Sequence, residues 1–242
     1  MSESMIKRLV IVLNGKGGVG KSFFSTNFVQ YLKDRQHPHR AIDTDNENST
    51  LKRYHCEADF VDLSDPRGLD ALFSAVETFP LVVMDGRAAS TDLILDYFAE
   101  VSVFDLLAGM DARLTLAIPI NHEADSVTQA KLISDTLGNR CHYLVVKNQA
   151  HSEHFTLYEK SRTRSRLANE FRAGEMVMPR MYDWLVAALN QHNLTVTDAL
   201  QHEAFNLVDR QRLKNWQKSF FAQVDAHQDM LLGAIEPTGR HE

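Results

Sequence analysis

The chain has 242 residues, of which 44% are hydrophobic, and its formal net charge is −6. This length allows one large or two small domains. The hydrophobic content is sufficient for a sizeable core, which excludes overall disorder. The acidic balance argues against a globally basic nucleic-acid binder. With two cysteines, the chain cannot be a disulfide scaffold. No apolar run reaches the roughly 18 residues of a membrane span, and segment 1–7 lacks a signal-peptide pattern. We therefore expect a cytoplasmic protein.

The first predicted element is a buried β-strand over 7–13, where aliphatic and β-branched residues follow one another. Segment 15–22 (GKGGVGKS) comes next and matches the pattern G-x-x-x-x-G-K-[ST] of a phosphate-binding loop. The apolar residues behind the loop share one face of a predicted helix: Phe24, Phe28, Tyr31 and Leu32. The strand, loop and helix that this motif requires are therefore all present.

This loop is suited to hold nucleotide phosphates. Its glycines let backbone N–H groups curl around phosphate oxygens, and the helix N-terminus adds partial positive charge. In this motif Lys21 reaches the β- and γ-phosphates, and the hydroxyl of Ser22 ligates Mg²⁺. The absence of an N-K-x-D guanine motif favours ATP over GTP. We predict that ATP or ADP with Mg²⁺ contacts Gly15, Lys16, Gly17, Gly18, Val19, Gly20, Lys21, Ser22 and Phe23.

Polar residues end three further predicted strands. Asp43 and Asp45 close the second strand, Asp85 closes the apolar run 81–85, and Asn148 closes a later strand. Open α/β sheets bind ligands at the carboxyl ends of their strands, so we expect these side chains near the loop. Solvated acidic turns and a turn-forming asparagine are the alternative interpretations.

Strand and helix patterns alternate through about residue 180. They include a strand over 114–120 and then a helix with an apolar face formed by Val127, Ala130, Ile133 and Leu137. The alternation behind a phosphate loop predicts an α/β fold: a mostly parallel, doubly wound P-loop NTPase sheet flanked by helices, with a C-terminal helical tail. We expect a single domain over 1–242, with a core over 1–190 and a helical extension over 191–242.

A second lysine inside the loop, Lys16, resembles the signature lysine of the deviant Walker A (ParA/MinD-type) ATPases. Within that superfamily the chain is similar to the conjugal-transfer and plasmid-stability ATPases of the TraL-like and StbB-like group. This similarity rests on the loop followed by two phenylalanines, on segment 42–45 (IDTD), and on the tail segments 194–200 and 209–214.

The resemblance implies an ATP-dependent homodimer in which Lys16 crosses to the nucleotide of the opposite subunit. It also implies that Asp43 holds a Mg²⁺-bound water, that Asp45 orients the attacking water, and that Asp85 supports Mg²⁺ through water. Asn148 would pair with the adenine edge, for which an amide offers both a donor and an acceptor. Lys16 and Asp45 are thus the catalytic candidates, and Ser22, Asp43 and Asp85 are the metal-site candidates.

Two positions depart from the pattern of these relatives. Phe23 stands where many of them have a threonine that touches the α-phosphate, and Asn46-Glu47 replaces a Pro-Gln pair. The resemblance implies an ATP-hydrolysing dimeric switch in plasmid positioning, stability or conjugal transfer, with a plasmid-encoded partner protein. A nucleotide-gated adaptor with negligible hydrolysis is the alternative, and a carboxylate-activating synthetase is a third hypothesis, which Lys16 disfavours.

Segment 160–172 carries five positive charges and one negative charge. Such asymmetry is typical of a surface that contacts DNA phosphates without sequence preference, and the partition relatives bind DNA in this way. The candidate contacts are Lys160, Arg162, Arg164, Arg166 and Arg172. The alternative is a solvated basic helix.

A basic amphipathic helix is predicted over 210–224, with Leu213, Trp216, Phe220 and Val224 on its apolar face. Such a helix can lie on a membrane, as in the Min-type relatives, or pack against its own domain. ATP binding would then direct the protein from the cytoplasm to the nucleoid or to the membrane.

Overall fold

The protein is described by a computed structural model that covers residues 6–46, 48–65 and 67–232. The strands are β1 Lys7–Val12, β2 Arg40–Asp43, β3 Asp59–Phe60, β4 Leu81–Asp85, β5 Ala112–Ile120, β6 His142–Asn148 and β7 Gly174–Met178. The helices are α1 Lys21–Asp34, α2 Thr50–Tyr54, α3 Asp70–Thr78, α4 Thr91–Glu100, α5 Val103–Gly109, α6 Ala124–Leu137, α7 Thr156–Glu159, α8 Arg162–Asn169, α9 Asp183–His192, α10 Val196–Ala199, α11 Leu207–Asp225 and α12 Gln228–Leu231.

The strands form one sheet in the order β3-β2-β4-β1-β5-β6-β7, and every neighbouring pair runs parallel. This confirms the predicted doubly wound α/β fold, in which helices connect parallel strands across both faces of the sheet. Val12 and Asp43 each lie opposite Asp85 in the register of neighbouring strands, which brings the carboxyl ends of β1, β2 and β4 together.

The core is divided between the two faces of the sheet because successive side chains of a strand point to opposite sides. Leu9 and Ile11 of β1 pack on one face, with α3 to α6 and α8, and Val10 and Val12 pack on the other, with α1, α9 and α11. The predicted apolar face of α6 is buried, as is the predicted apolar face of α1.

The expected boundary between residues 190 and 191 falls inside α9, so α9 belongs to both proposed parts. Residues 233–242 of the expected extension lie outside the described residues. In the described part of the chain, no helix combines the length and the apolar character that crossing a membrane requires.

Helix α11 packs on the same face of the sheet as α1. Leu213, Trp216, Phe220 and Val224 are at most 7% exposed, and the rings of Phe24 and Phe220 meet edge to face at 5.9 Å. Of the two alternatives for this helix, the structure therefore shows packing against its own domain. Membrane contact through 210–224 would first require the buried apolar face to separate from the domain.

Candidate nucleotide-binding site

The loop between β1 and α1 has the backbone shape that its glycines allow. Gly18 and Gly20 have φ values of +74° and +96°, in the left-handed region that favours glycine. A Cβ atom on Gly18 would meet open space, whereas one on Gly20 would collide with the Asn148 amide. The loop is therefore open on the side where phosphates would bind, and it is closely packed where it meets β6.

Asn14 holds the start of the loop. Its side chain is fully buried, and its Oδ1 accepts a hydrogen bond from the Lys16 N–H at 3.0 Å. Its Nδ2 donates to the Pro119 carbonyl at 2.8 Å and to the Ser126 carbonyl at 3.1 Å. These contacts connect the phosphate loop to the end of β5 and to the first turn of α6, a role that the sequence did not reveal.

Lys21 lies under the loop with its ammonium group turned inward. Its Nζ donates to the Lys16 carbonyl at 3.0 Å, and the residue is 7% exposed. Burial lowers the pKa of Lys21, and the carboxylates of Asp85 and Asp45 oppose this shift. A phosphate oxygen would offer this cation a stronger, charged acceptor in place of the carbonyl.

Asp85 lies at the carboxyl end of β4 and is fully buried. Burial raises its pKa to about 7, with the neighbouring Asp43 carboxylate adding to the shift and hydrogen bonds from Ser22 and Ser25 opposing it. The Ser25 hydroxyl lies 2.8 Å from Asp85 Oδ1 and 3.1 Å from the Lys21 carbonyl. Ser25 follows Lys21 by one helical turn. This spacing is the only signal in the sequence from which a role for Ser25 in the nucleotide site could have been predicted.

The oxygen atoms of Ser22 and Asp85 meet at this point, and oxygen ligands are those that Mg²⁺ prefers. Across the residues that the structure describes, no group of three or more His, Cys, Asp or Glu side chains forms a metal site. This donor set fits a Mg²⁺ ion that takes one or two protein ligands and completes its shell with phosphate oxygens and water.

The Asp43 carboxylate accepts hydrogen bonds from backbone N–H groups. Its Oδ1 accepts from the Asp45 N–H and its Oδ2 accepts from the Lys52 N–H, both at 2.9 Å, and the side chain is fully buried. Both oxygens thus hold the segment from β2 to α2. A carboxylate offers about four acceptor positions, so a metal-bound water could still donate to one that remains, and the role predicted for Asp43 stays a prediction.

Asp45 is engaged in its own turn. Its carboxylate oxygens accept from the backbone and side-chain nitrogens of Asn48 at 3.3 and 3.4 Å, and its carbonyl accepts from the Ser49 hydroxyl at 2.8 Å. Its charge acts on Lys21, opposing the fall in the pKa of that lysine, so the carboxylate lies in the neighbourhood of the loop. The structure therefore brings Asp45 close to the site with its side chain directed to Asn48.

Asn148 connects β6 to the loop. Its Nδ2 donates to the Val19 carbonyl at 2.9 Å, and its Oδ1 accepts from the Ala150 N–H at 3.0 Å. An amide has two donor hydrogens and an oxygen with two lone pairs, so a base edge could still pair with the remaining positions. The prediction of adenine pairing stays a prediction, and the structure adds a second role in positioning the loop.

A recess of about 410 Å³ opens beside the loop and would accept a nucleotide base. Its lining includes Gly18, Phe23, Asn148, Met181 and Asp183. A larger recess of about 800 Å³ lies at the amino ends of β5 and β6, where parallel α/β sheets rarely bind ligands.

Lys16 is half-buried at the outer edge of the loop, and acidic residues of its own chain hold it. Its Nζ lies 3.2 Å from Glu123 Oε2 and 3.5 Å from Asp125 Oδ2, at the start of α6. The hydrogen bond to Glu123 and the charges of both carboxylates raise the pKa of Lys16. The sequence did not reveal these partners, because they lie more than a hundred positions away along the chain.

The predicted DNA-binding segment is less basic in the structure than in the sequence. Arg164 pairs with Glu175 at 2.7 Å, and Arg166 pairs with Asp135 and, at 3.2 Å, with Glu170. Within the described residues, the other three candidates make no ion pair: Lys160, Arg162 and Arg172. The expectation that all five cations face a ligand is corrected, because two of them neutralise carboxylates of their own domain.

The parallel sheet and the glycine-rich loop at the carboxyl end of its central strand define a P-loop nucleotide-binding protein. Residues 10–236 match the model of the CobQ/CobB/MinD/ParA nucleotide binding domain, and the chain belongs to this family. The resemblance to ParA/MinD-type proteins is thereby confirmed, and the deviant character of the loop stays a prediction.

Two relatives are similar to the chain in sequence, and one solved structure is similar to it in fold. The chain is 27% identical to Protein MobD of Acidithiobacillus ferrooxidans over 88% of this chain and 94% of that protein. It is 26% identical to Protein TraL of Escherichia coli over 90% of this chain and 97% of that protein. The septum site-determining protein MinD of Pyrococcus horikoshii, complexed with Mg-ADP, shares the fold with a TM-score of 0.54 and 14% identity, over 91% of this chain and 95% of that one.

Proposed function

We propose that this protein is a dimeric ATPase switch that binds ATP with Mg²⁺ at the phosphate loop and hydrolyses it slowly to ADP and phosphate. The observation that carries the proposal is the position of two lysines on one loop. Lys21 is buried beneath the loop, and Lys16 is half-buried at its outer edge, where a second subunit can approach. One cation therefore serves the bound nucleotide, and the other can reach a partner once its ion pairs with Glu123 and Asp125 open.

Each residue has a defined task in this proposal. Lys21 exchanges the Lys16 carbonyl for phosphate oxygens. Ser22 would hold the Mg²⁺ ion, which would neutralise charge on the phosphates. Asp85 accepts hydrogen bonds from Ser22 and Ser25 and so orients the metal side of the site. Asp45 leaves Asn48 to orient the attacking water.

We extend the proposal to the biological setting. Similarity to the TraL-like and StbB-like group and to Protein TraL supports a role in plasmid positioning, stability or conjugal transfer. A plasmid-encoded partner protein would then recognise the ATP-bound homodimer. The basic segment and its cations Lys160, Arg162 and Arg172 supply a candidate contact to DNA for such a dimer.

The test measures phosphate release and particle mass with ATP for the wild type and three variants. Lys21→Ala loses nucleotide binding, Lys16→Ala binds nucleotide but loses dimerisation or hydrolysis, and Asp45→Ala accumulates as an ATP-bound dimer. Lys131→Ala is the matched control, because Lys131 is an exposed, ion-paired lysine on the outer surface of α6. A particle mass that corresponds to a monomer, with every nucleotide and for every variant, would contradict the proposal.

A nucleotide-gated adaptor with negligible hydrolysis is the second candidate. It is favoured by the engagement of both Asp45 carboxylate oxygens with Asn48, which leaves the attacking water without this orienting group unless the turn rearranges. ATP-dependent dimers of wild type that release no phosphate over hours, with or without DNA, would select the adaptor over the switch.

A further inference from the structure

Two aromatic side chains at the start of α9 stack on one another at the surface. The ring centroids of Tyr182 and Trp184 are 4.3 Å apart with planes at 20°, and the residues are 49% and 52% exposed. Large exposed rings are uncommon on a monomer unless they bind something, because covering them with an apolar partner is favourable. We call Tyr182, Trp184 and Arg212 the aromatic platform.

Arg212 of α11 lies beside the stacked pair. Its Cζ is 5.5 Å from the Tyr182 centroid and 5.6 Å from the Trp184 centroid. With centroids only 4.3 Å apart, a guanidinium group capping one end of the stack would be much farther from one ring than from the other. The near-equal distances put the cation at the side of the pair, so Arg212 does not cover the outer ring faces.

The surroundings of the platform are positively charged. Segments 179–184 and 207–218 together contain five basic and two acidic residues, in a chain whose net charge is −6. The two acids pair with two of these cations, Asp183 with Arg180 at 3.9 Å and Asp209 with Arg212 at 3.3 Å, so an excess of three positive charges remains. A second copy docking through the same surface would place these cations against each other, which is unfavourable. A cleft of about 300 Å³ borders the platform, with Arg180, Arg212 and Asn215 among its lining residues. Charge complementarity therefore favours a polyanion.

We propose that the aromatic platform binds single-stranded nucleic acid. An unpaired base stacks on an outer ring face of the Tyr182–Trp184 pair. The guanidinium groups of Arg212 and Arg180 contact the adjacent phosphates through N–H donors that their ion pairs with Asp209 and Asp183 do not use. Every base has a flat π-face, so this mode does not read sequence, and a duplex hides those faces in its own stack. The proposal uses none of the nucleotide-site residues and does not rest on the proposed ATPase function.

The experiment measures binding of a fluorescently labelled oligodeoxythymidylate to the full chain, without ATP, by anisotropy at low salt. Trp184→Ala weakens binding by about 5- to 150-fold, the range expected for losing one stacked base. Trp184→Phe keeps an aromatic face and retains most of the affinity. Arg212→Ala weakens binding and flattens its salt dependence. Leu157→Ala is the control, since Leu157 is an equally exposed apolar residue of α7 (54%), and it leaves binding unchanged.

Intrinsic fluorescence gives a second readout. The chain has two tryptophans, and Trp184 is half exposed whereas Trp216 is 7% exposed. The oligonucleotide quenches the emission of the wild type, and this quenching disappears in Trp184→Phe while anisotropy still reports binding. Unchanged thermal unfolding of the variants confirms that they fold.

Three outcomes would overturn the proposal. Equal affinity for the duplex and the single strand would assign binding to the phosphates alone. Unchanged oligonucleotide affinity in Trp184→Ala would place binding elsewhere. Poly-L-glutamate binding as tightly as the oligonucleotide, with the same loss in Trp184→Ala, would indicate a docking surface for an acidic protein segment.

Discussion

Lys16 Nζ lies 3.2 Å from Glu123 Oε2 within one chain, and Asp125 lies on the same side at 3.5 Å. A lysine that is proposed to reach the nucleotide of a second subunit is therefore held by its own subunit in this conformation. Reaching the opposite subunit requires this pair to open, so the two acids compete with dimer formation.

We expect the double variant Glu123→Gln/Asp125→Asn to form the ATP-bound dimer at lower protein concentration than wild type. The shift is about two- to fivefold, because exposed ion pairs are weak in water. Sedimentation velocity with ATP measures it. Glu203→Gln, an exposed acid between α10 and α11, is the control and leaves the dimer midpoint unchanged. A weaker dimer in the double variant would mean that these acids contribute to the interface.

Ser25→Ala removes the hydroxyl that lies 2.8 Å from Asp85 Oδ1. Partners that orient a metal-site carboxylate typically contribute 10- to 100-fold to metal affinity, so we expect ATP binding with Mg²⁺ to weaken by about this factor. Titration calorimetry with and without Mg²⁺ measures the effect, and the loss appears only with Mg²⁺. Ser134→Ala is the matched control, because Ser134 is also buried and bonds a carbonyl of its own helix, α6. An equal loss without Mg²⁺ would assign Ser25 a purely structural role.

Phe220→Ala removes a fully buried ring between α11 and α1. We expect the free energy of unfolding to fall by about 3–5 kcal/mol, because the lost contacts leave a cavity. Chemical denaturation measures this, and Lys218→Ala, an exposed neighbour, changes it by less than about 0.5 kcal/mol.

Membrane contact through α11 is tested by flotation with anionic liposomes and ATP. Flotation of the wild type that is abolished in a folded Trp216→Glu variant would support this contact.

The basic segment divides into two groups with different expected effects. Duplex DNA binding at low salt falls in Lys160→Ala/Arg162→Ala/Arg172→Ala, because these cations can release counterions from DNA. Arg164→Ala/Arg166→Ala keeps most of the binding, because both arginines already neutralise Glu175, Asp135 and Glu170. Retardation of a labelled duplex measures both variants. Equal binding by the first variant and the wild type would exclude this segment as the contact.

Much of the architecture could be predicted from the sequence because it depends on local patterns. The β1 strand, the glycine-rich loop and the apolar face of α1 follow each other within about 30 positions, and each has its own periodicity or steric requirement. The alternation of strands and helices determined the parallel sheet, since parallel neighbours need crossover connections. The carboxyl-end positions of Asp43, Asp85 and Asn148 followed from the same logic.

What each of those side chains contacts was decided by the tertiary structure. Asp43 and Asn148 looked like ligand contacts, yet both hold backbone groups, because neighbouring segments bring unpaired N–H and carbonyl groups to them. Lys16 meets Glu123 only because β5 lies beside β1 in the sheet.

The sequence by itself determined the family, the sheet and the phosphate loop, since these depend on residue types at short, fixed spacings. Only the tertiary structure decided which charges remain available and which apolar faces are covered. Arg164 and the apolar face of α11 looked free in the sequence, and both are used within the domain. Burial and ion pairing depend on partners that lie far away along the chain, and no local pattern encodes those distances.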